Sequence, residues 1–237
     1  MQRFFLKSES FSGNKIFISN PDIIYQMQRV LRMRNGDKFI ALDNSGFEYL
    51  CMLEELNKDN AHARITEKRK NTAESEISLS LYQAMPKKME LFELVLQKGT
   101  EIGVSAFVPL ITEHTERREI SKRERLEKIL REAAEQSERG KIPSLSEPAA
   151  FEKAMEENFD GISIVLHSRG NYPSLTSKLT EIKNAKKCRI FIGPEGGFSE
   201  KEIKFAEQKG FNVCSLGPRI LRTETAAIAA AGLVLLD

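Results

Sequence analysis

Two glycine-bearing turns near the C-terminus constrain the fold of this chain more than any other feature. They span residues 192–199 and 216–225, and each follows a strand-like run and precedes a helix-like run. Glycine and proline at the carboxyl ends of strands let the backbone approach a flat ligand closely, and ligands of open α/β sheets bind at that edge. We therefore expect a binding site where these two turns meet.

Strand-like and helix-like runs alternate from residue 77 onward. The predicted strands are 77–84, 107–111, 162–166, 189–192 and 213–216. The predicted helices are 89–102, 122–137, 175–184, 199–209 and 223–236. Alternation of this kind predicts a largely parallel sheet covered by helices on both faces.

The first seventy or so residues have a different pattern. Short β-like runs at 16–18, 38–42, 49–56 and 61–70 are separated by turn signals, and a helical run at 21–33 follows an Asn20 start signal. The chain then becomes polar around residue 73. We predict a small β-barrel domain over residues 1–73 and an α/β domain over residues 74–237.

Charge and cysteine content limit the classes of protein to consider. The formal net charge is only +2, so contact with polyanions must come from local clusters of charge. Cys51, Cys188 and Cys214 are odd in number and lack CxxC spacing. We therefore expect free, buried thiols in a reduced, cytoplasmic protein.

Neither a metal site nor a membrane segment is expected. His62, His114 and His167 share no metal-ligand spacing, and we expect His62 and His114 on the surface. The start of the chain lacks a signal-peptide pattern. The most apolar stretch, residues 226–236, is far shorter than the roughly 20 residues that a membrane span requires, so it predicts a buried helix.

The first glycine turn indicates the charge of its ligand. Ser199 and Glu202 have the spacing of a capping box, so a helix should begin there. The turn contains no lysine, and Glu195 places a negative charge where a phosphate would sit. A neutral or cationic ligand, such as an adenosine carrying a sulfonium, therefore suits the turn better, although a turn without any ligand remains an alternative.

The second glycine turn brings charges to the same sheet edge, through Arg219, Arg222 and Glu224. The predicted helix that follows has small, apolar residues on nearly all of its faces over residues 225–233, so it must pack on several sides. Such a helix suits a subunit interface as well as a core.

Basic residues cluster at two places. The first cluster is Arg29, Arg32, Arg34 and Lys38, and the second is Arg117, Arg118, Lys122, Arg123 and Arg125. Phosphate contact is the functional interpretation, because neutralising the backbone supplies much of nucleic-acid affinity. Acidic residues interrupt the second cluster, so a solvated helix face explains it equally well.

Ordered segments along nearly the whole chain resemble one family of RNA-modifying enzymes. They are Arg3-Phe4-Phe5, Val30-Leu31-Arg32 with Gly36-Asp37, Gln97-Lys98 with Glu101-Ile102-Gly103-Val104, Glu132-Ala133-Ala134-Glu135-Gln136-Ser137, and both glycine turns. Together they resemble the SPOUT class of RNA methyltransferases, and within it the RsmE family, bacterial enzymes that methylate N3 of a uridine in 16S ribosomal RNA.

The resemblance implies an α/β trefoil-knot domain that binds S-adenosylmethionine, preceded by a PUA-like β-barrel that binds RNA. It also implies a homodimer whose partner is 16S ribosomal RNA or the small ribosomal subunit. The cofactor residues that it implies are Leu166, His167, Gly193, Glu195, Gly196, Gly197, Leu216, Gly217, Ile220, Leu221, Thr225 and Ala226.

Reaction and RNA contacts can also be assigned by position. We predict that Arg222 stabilises the uridine imidate and that Glu224 accepts its proton. Predicted RNA contacts are Arg3, Tyr25, Arg29, Arg32, Arg34 and Lys38. Family members often carry a histidine pair where this chain has Tyr25 and Gln26, and Tyr25 could stack on a base instead.

Three other functions remain to be distinguished. A non-catalytic RNA-binding module would use the β-barrel and the first basic cluster alone, and it would not bind S-adenosylmethionine. A SPOUT methyltransferase with another RNA target would share the whole fold. A dinucleotide-dependent enzyme is disfavoured, because no GxGxxG follows the first strand of the α/β domain.

Overall fold

A computed structural model describes residues 1–236. The chain forms two units, one made of Met1–Glu74 with Ala134–Ile142, and the other made of Ser75–Ala133 with the chain from Pro143 onward. The segment Ala134–Ile142 thus belongs to the first unit despite its distant place in the sequence. The domain division at residues 73 and 74 stays a prediction.

The first unit is built on one six-stranded sheet. Its strands are β1 Arg3–Phe5, β2 Phe11–Ser12, β3 Lys15–Ile18, β4 Lys38–Leu42, β5 Phe47–Leu56 and β6 Ala61–Lys70. They lie in the order β1-β4-β5-β6-β3-β2, with β1 and β4 parallel and every other pair antiparallel. The four predicted strands are confirmed to within two residues, whereas β1 and β2 were too short to show alternation.

One helix of the first unit packs on the core of its sheet. Helix α1 (Pro21–Tyr25) continues as a π-helical turn over Gln26–Val30, so the predicted helix of 21–33 is confirmed with an earlier end. The Asn20 side chain accepts hydrogen bonds from the second and third residues after it, which is how the start signal acts. Met27 is fully buried against the core that contains Phe4 and Phe39.

The second unit contains a parallel sheet. Its strands are β7 Ser78–Ala84, β8 Ala106–Ile111, β9 Ser144–Leu145, β10 Ala149–Ala150, β11 Ile162–Leu166, β12 Lys187–Ile192 and β13 Asn212–Cys214. Their order is β10-β8-β7-β12-β11-β13, with β9 paired to β8 and every pair parallel. A parallel sheet here and a separate, mainly antiparallel sheet in the first unit confirm the predicted fold class.

Helices complete the second unit. They are α2 Met89–Ile102, α3 Arg123–Gln136, whose end belongs to the first unit, α4 Phe151–Glu156, α5 Leu179–Ala185, α6 Glu200–Gln208 and α7 Thr223–Leu235. The predicted strands and helices are confirmed to within two residues, except that 175–178 is a 3-10 turn before α5. Helix α4 and strands β9 and β10 were missed, because they are too short to show a clear period.

Buried aromatic rings fill the core of the second unit. Phe191 stacks on Tyr82 with ring centroids 4.3 Å apart and meets Phe151 and Phe211 edge to face. Strand β12, which carries the buried Phe191, lies at the centre of the sheet between β7 and β11. The loops after these strands therefore leave from one edge, because carboxyl ends of parallel strands share an edge.

Two further predictions from composition concern thiols and membranes. Cys51, Cys188 and Cys214 are free and buried, as predicted, and burial raises the pKa of the Cys51 and Cys188 thiols to about 12. No helix within residues 1–236 has the length and apolar character needed to cross a membrane.

Candidate functional site

The first glycine turn leaves β12 and leads into α6. A Cβ atom on Gly193 would lie 3.2 Å from the backbone nitrogen of Phe198, so a side chain there would push against the backbone of the turn. Gly197 has φ +71°, a backbone conformation that glycine adopts without strain. Ser199 and Glu202 form the predicted capping box, in which the side chain of each accepts a hydrogen bond from the backbone N–H of the other.

The second glycine turn leaves β13 and leads into α7. Gly217 has φ +99°, and Thr223 is the first residue of the helix. The Thr223 hydroxyl donates to the Gly193 carbonyl oxygen at 2.6 Å and accepts from the Gln83 side-chain amide at 2.8 Å. This contact joins the two turns, so the predicted meeting of the turns at one sheet edge is confirmed.

Three neighbouring cavities lie around these turns and have lining residues in common. Their volumes are about 620, 530 and 50 Å³, and Leu221 lines all three. The predicted cofactor residues that line at least one of them are Leu166, His167, Gly193, Glu195, Gly196, Gly197, Leu216, Gly217, Ile220, Leu221 and Ala226. Thr225 is exposed and outside these linings. The structure thus brings together all but one of the residues predicted to surround the cofactor, whose binding stays a prediction.

Arg222 and Glu224 both line the cavity of about 530 Å³. Arg222 is exposed at the start of α7, whereas Glu224 is only 8% exposed. The Glu224 carboxylate accepts no hydrogen bond and forms no ion pair within residues 1–236. It is therefore a buried hydrogen-bond acceptor that lines this cavity. Lys87 and Lys88 line the same cavity, and the sequence pattern gave no reason to select them.

His167 lines the cavities of about 620 and 50 Å³. Burial, together with the positive charge of Arg169, holds the pKa of His167 below its ordinary value. A neutral imidazole is therefore favoured at neutral pH. The ring meets Tyr172 edge to face at 5.8 Å.

The predicted RNA contacts of the first unit divide into two groups. Tyr25, 64% exposed, and the basic cluster Arg29, Arg32, Arg34 and Lys38 all lie on the surface. Arg3 is only 7% exposed, and its guanidinium pairs with Glu48 at 2.6 Å and with Glu138 at 2.9 Å. Because these two carboxylates occupy the Arg3 guanidinium, its placement favours a structural function over an RNA contact.

The second basic cluster is partly neutralised. Arg123 forms ion pairs with Glu127 and Glu147. Arg125 forms a bidentate ion pair with Glu93. These contacts favour the solvated helix face for those two residues. The remaining histidines, His62 and His114, are exposed as predicted, and residues 1–236 contain no cluster of ligand side chains that could hold a metal ion.

The fold and the site together define a class of protein: an α/β protein with cavities at the carboxyl edge of its parallel sheet and a second, small sheet unit. Residues 73–235 match the RNA methyltransferase domain family, and residues 27–66 match the RNA methyltransferase PUA domain. The chain belongs to the ribosomal RNA small subunit methyltransferase E family.

Curated relatives and a solved structure support this membership. The chain is 31% identical to ribosomal RNA small subunit methyltransferase E of Bacillus subtilis (strain 168), over 97% of this chain and 94% of the relative. It is 35% identical to the protein of the same name from Synechocystis, over 87% of this chain and 68% of the relative. The crystal structure of the Neisseria gonorrhoeae enzyme bound to S-adenosyl methionine superposes with a TM-score of 0.86 at 29% identity, covering 98% of this chain and 95% of that chain.

Proposed function

We propose that this protein transfers the methyl group of S-adenosylmethionine to N3 of a uridine in 16S ribosomal RNA. The observation that carries the proposal is the Thr223–Gly193 hydrogen bond, which joins the two glycine turns beside a cavity of about 530 Å³. Support comes also from the N. gonorrhoeae relative, whose structure contains this cofactor. The choice of N3 and of 16S RNA rests on the family resemblance.

The residues present fit this cofactor. The cavities are lined by glycine backbone and by apolar side chains such as Leu221, which suit a flat adenosine. The Glu195 carboxylate adds negative charge at the first glycine turn, which suits a sulfonium and opposes a phosphate. We assign the binding of the nucleoside to the residues predicted above, without Thr225, which is outside the linings.

When bound, the cofactor supplies an electrophilic methyl group. Uridine N3 carries a proton, so the base must be unstacked and the proton must be removed before N3 can act as a nucleophile. Glu224 is our candidate for the proton acceptor, because its carboxylate is buried in the cavity and takes no bond from residues 1–236. Arg222 would stabilise the negative charge that develops on O2 or O4 of the base.

The first unit supplies RNA affinity in this proposal. The exposed basic cluster would contact phosphates, and Tyr25 would stack on an unpaired base. Lys88 is exposed and lines the cavity of about 530 Å³, as Arg222 does, so it adds positive charge there. Because the substrate is ribosomal RNA, we place the enzyme in the cytoplasm.

We also propose that the protein is a homodimer, as the family resemblance implies. Helices α2 and α7 pack on each other and expose Leu94 (37%) and Leu233 (41%). Light scattering coupled to size-exclusion chromatography should give twice the chain mass. A monomer at micromolar concentration would contradict this part of the proposal alone.

A methylation assay tests the proposed reaction. The protein is incubated with methyl-labelled S-adenosylmethionine and either naked 16S RNA or assembled small subunits from cells that lack the enzyme, and the RNA is digested to nucleosides for mass spectrometry. We expect 3-methyluridine at a single position. Methylation at another atom would contradict the N3 assignment, and absence of cofactor binding would favour the RNA-binding module.

A further inference from the structure

Glu202 accepts two backbone hydrogen bonds from different parts of the second unit. One carboxylate oxygen accepts from the N–H of Ser199 at 2.8 Å, which completes the capping box of α6. The other accepts from the N–H of Glu113 at 2.8 Å. Glu113 lies 89 residues earlier, after β8, so helix capping does not account for this second bond. Glu202 is only 5% exposed.

Glu113 belongs to a short turn over residues 112–116, which we call the brace turn. Thr112 and Thr115, both buried, close it: the Thr115 hydroxyl accepts from the backbone N–H of Thr112 at 3.0 Å, and the two hydroxyls lie 2.8 Å apart. The brace turn is thus closed by its own hydrogen bonds.

The brace turn contacts the first glycine turn at other points. His114 Nδ1 lies 3.0 Å from the carbonyl oxygen of Gly197, and a Cβ atom on Gly196 would lie 3.1 Å from that of His114. Glu116 pairs with the Lys87 side chain at 2.7 Å. The backbone N–H of Lys87 in turn donates to the Glu195 carboxylate at 3.1 Å. The glycine turn is therefore held along most of its length.

We propose that Glu202 is a positioning residue that holds the brace turn against the first glycine turn and so sets the shape of the cofactor cavity. The inference rests on the proposed function, because it concerns the same cavity. A carboxylate is required, since each of its two oxygens accepts one N–H. A glutamine offers one acceptor oxygen, and its NH₂ group would face an N–H donor at the other position.

The comparison of Glu202→Ala with Lys201→Gly tests this inference. Alanine at position 202 removes both acceptor oxygens and so breaks the bonds to Ser199 and to Glu113. Lys201 is exposed in the first turn of the same helix and lines none of the three cavities, so glycine there weakens α6 and keeps both bonds. We expect a loss of melting temperature in both, but S-adenosylmethionine binding weakened about tenfold in Glu202→Ala and less than about twofold in Lys201→Gly.

Amide hydrogen exchange gives a readout that needs no cofactor. In Glu202→Ala the amide of Glu113 should exchange faster, whereas in Lys201→Gly it should stay protected. Equal cofactor affinity in the two variants, or an unchanged Glu113 amide in Glu202→Ala, would overturn the inference. If wild-type protein binds no cofactor, the proposed function fails instead, and the two failures are thereby distinguished.

A second variant keeps the test open if Glu202→Ala does not fold. His114 is exposed, so His114→Ala leaves the core intact and removes the bond to the Gly197 carbonyl. We expect it to weaken S-adenosylmethionine binding by about threefold to fivefold without a change in melting temperature. Wild-type affinity in His114→Ala would overturn the inference.

Discussion

The hydroxyl of Thr223 donates a hydrogen bond to the carbonyl oxygen of Gly193 across 2.6 Å, joining two turns that are 30 residues apart in the sequence. The same hydroxyl accepts from Gln83 at the end of β7. One small side chain thus connects the carboxyl ends of β7 and β12 to the start of α7. Because Thr223 is only 6% exposed, water cannot readily replace these bonds.

Replacing Thr223 by valine should loosen both turns. Valine has nearly the same shape but can neither donate to Gly193 nor accept from Gln83. We expect the free energy of unfolding to fall by about 1–3 kcal/mol, because buried polar groups lose their partners. Urea denaturation measures the stability, and calorimetric titration should show weaker S-adenosylmethionine binding.

Thr223→Ser is the matched control, since it keeps the hydroxyl and loses only a methyl group. It should bind the cofactor as the wild type does. If Thr223→Val also binds the cofactor normally and is equally stable, the hydrogen bond between the turns does not shape the site.

Replacing Glu224 by glutamine should separate chemistry from binding. The amide keeps the size of the side chain but cannot accept a proton from uridine N3. We expect the rate of methyl transfer to fall by ~10²- to 10⁴-fold, while the cofactor dissociation constant stays within about threefold. Single-turnover methylation and calorimetry give the two quantities.

Glu152→Gln provides the control for Glu224→Gln, because Glu152 is also in the first turn of a helix but is exposed and outside the three cavities. It should methylate at the wild-type rate. A wild-type rate in Glu224→Gln would rule out Glu224 as the proton acceptor and leave the rest of the proposed function intact.

Replacing Arg29 by alanine should weaken RNA binding through a lost phosphate contact. Arg29 is exposed and has no ion-pair partner in the described part of the chain, so its charge is available to RNA. Each phosphate contact to single-stranded RNA contributes about 0.7 to the slope of log affinity against log salt, and the slope should fall by that amount. Filter binding over a range of salt concentrations measures it.

Arg123→Ala is the contrasting variant, because Glu127 and Glu147 already pair with Arg123. Its salt slope should equal that of the wild type, and neither variant should alter cofactor affinity. If Arg123→Ala changes the slope and Arg29→Ala does not, the RNA surface involves the second basic cluster and not the first.

The sequence predicts those structural features that depend on residues close together in the chain, and it misses those that depend on residues far apart. The longer strands and helices follow from local periodicity, and the capping box of Ser199 and Glu202 follows from a spacing of three residues, so these were predicted, whereas the shortest elements were missed. The burial of Arg3 depends on Glu48 and Glu138, which are 45 and 135 residues away. No local sequence pattern reveals such distant pairs, so Arg3 was predicted to be an RNA contact.

The brace turn was missed for the same physical reason. Glu113 and His114 carry no motif, and they reach the glycine turn only because β8 and β12 both flank β7 in the sheet. A signal that could have found them is the capping glutamate itself, since a carboxylate with one oxygen used at the cap has another free to bind a neighbouring loop.

The acid stability of the first unit should depend on Glu48. Burial alone would raise the pKa of this carboxyl, but hydrogen bonds and charge from Arg3 and Arg69 outweigh it and lower the pKa below its ordinary value of 4.5. A carboxyl with a lowered folded-state pKa stabilises the fold fully above its unfolded-state value, and this contribution is lost as the pH falls through the folded-state value. Stability should therefore decline as the solution is acidified below about pH 4.5.

Replacing Glu48 by glutamine should remove most of this dependence. The variant should be less stable than the wild type at pH 7, because it leaves Arg3 buried without its closest carboxylate. Its free energy of unfolding should change less between pH 6 and 3 than that of the wild type, as measured by urea denaturation across that range. Glu54→Gln removes an exposed carboxylate paired with Arg64 on the same sheet and should leave the pH profile nearly unchanged, because exposed pairs contribute little. Parallel profiles for wild type and Glu48→Gln would show that other carboxyls govern acid unfolding.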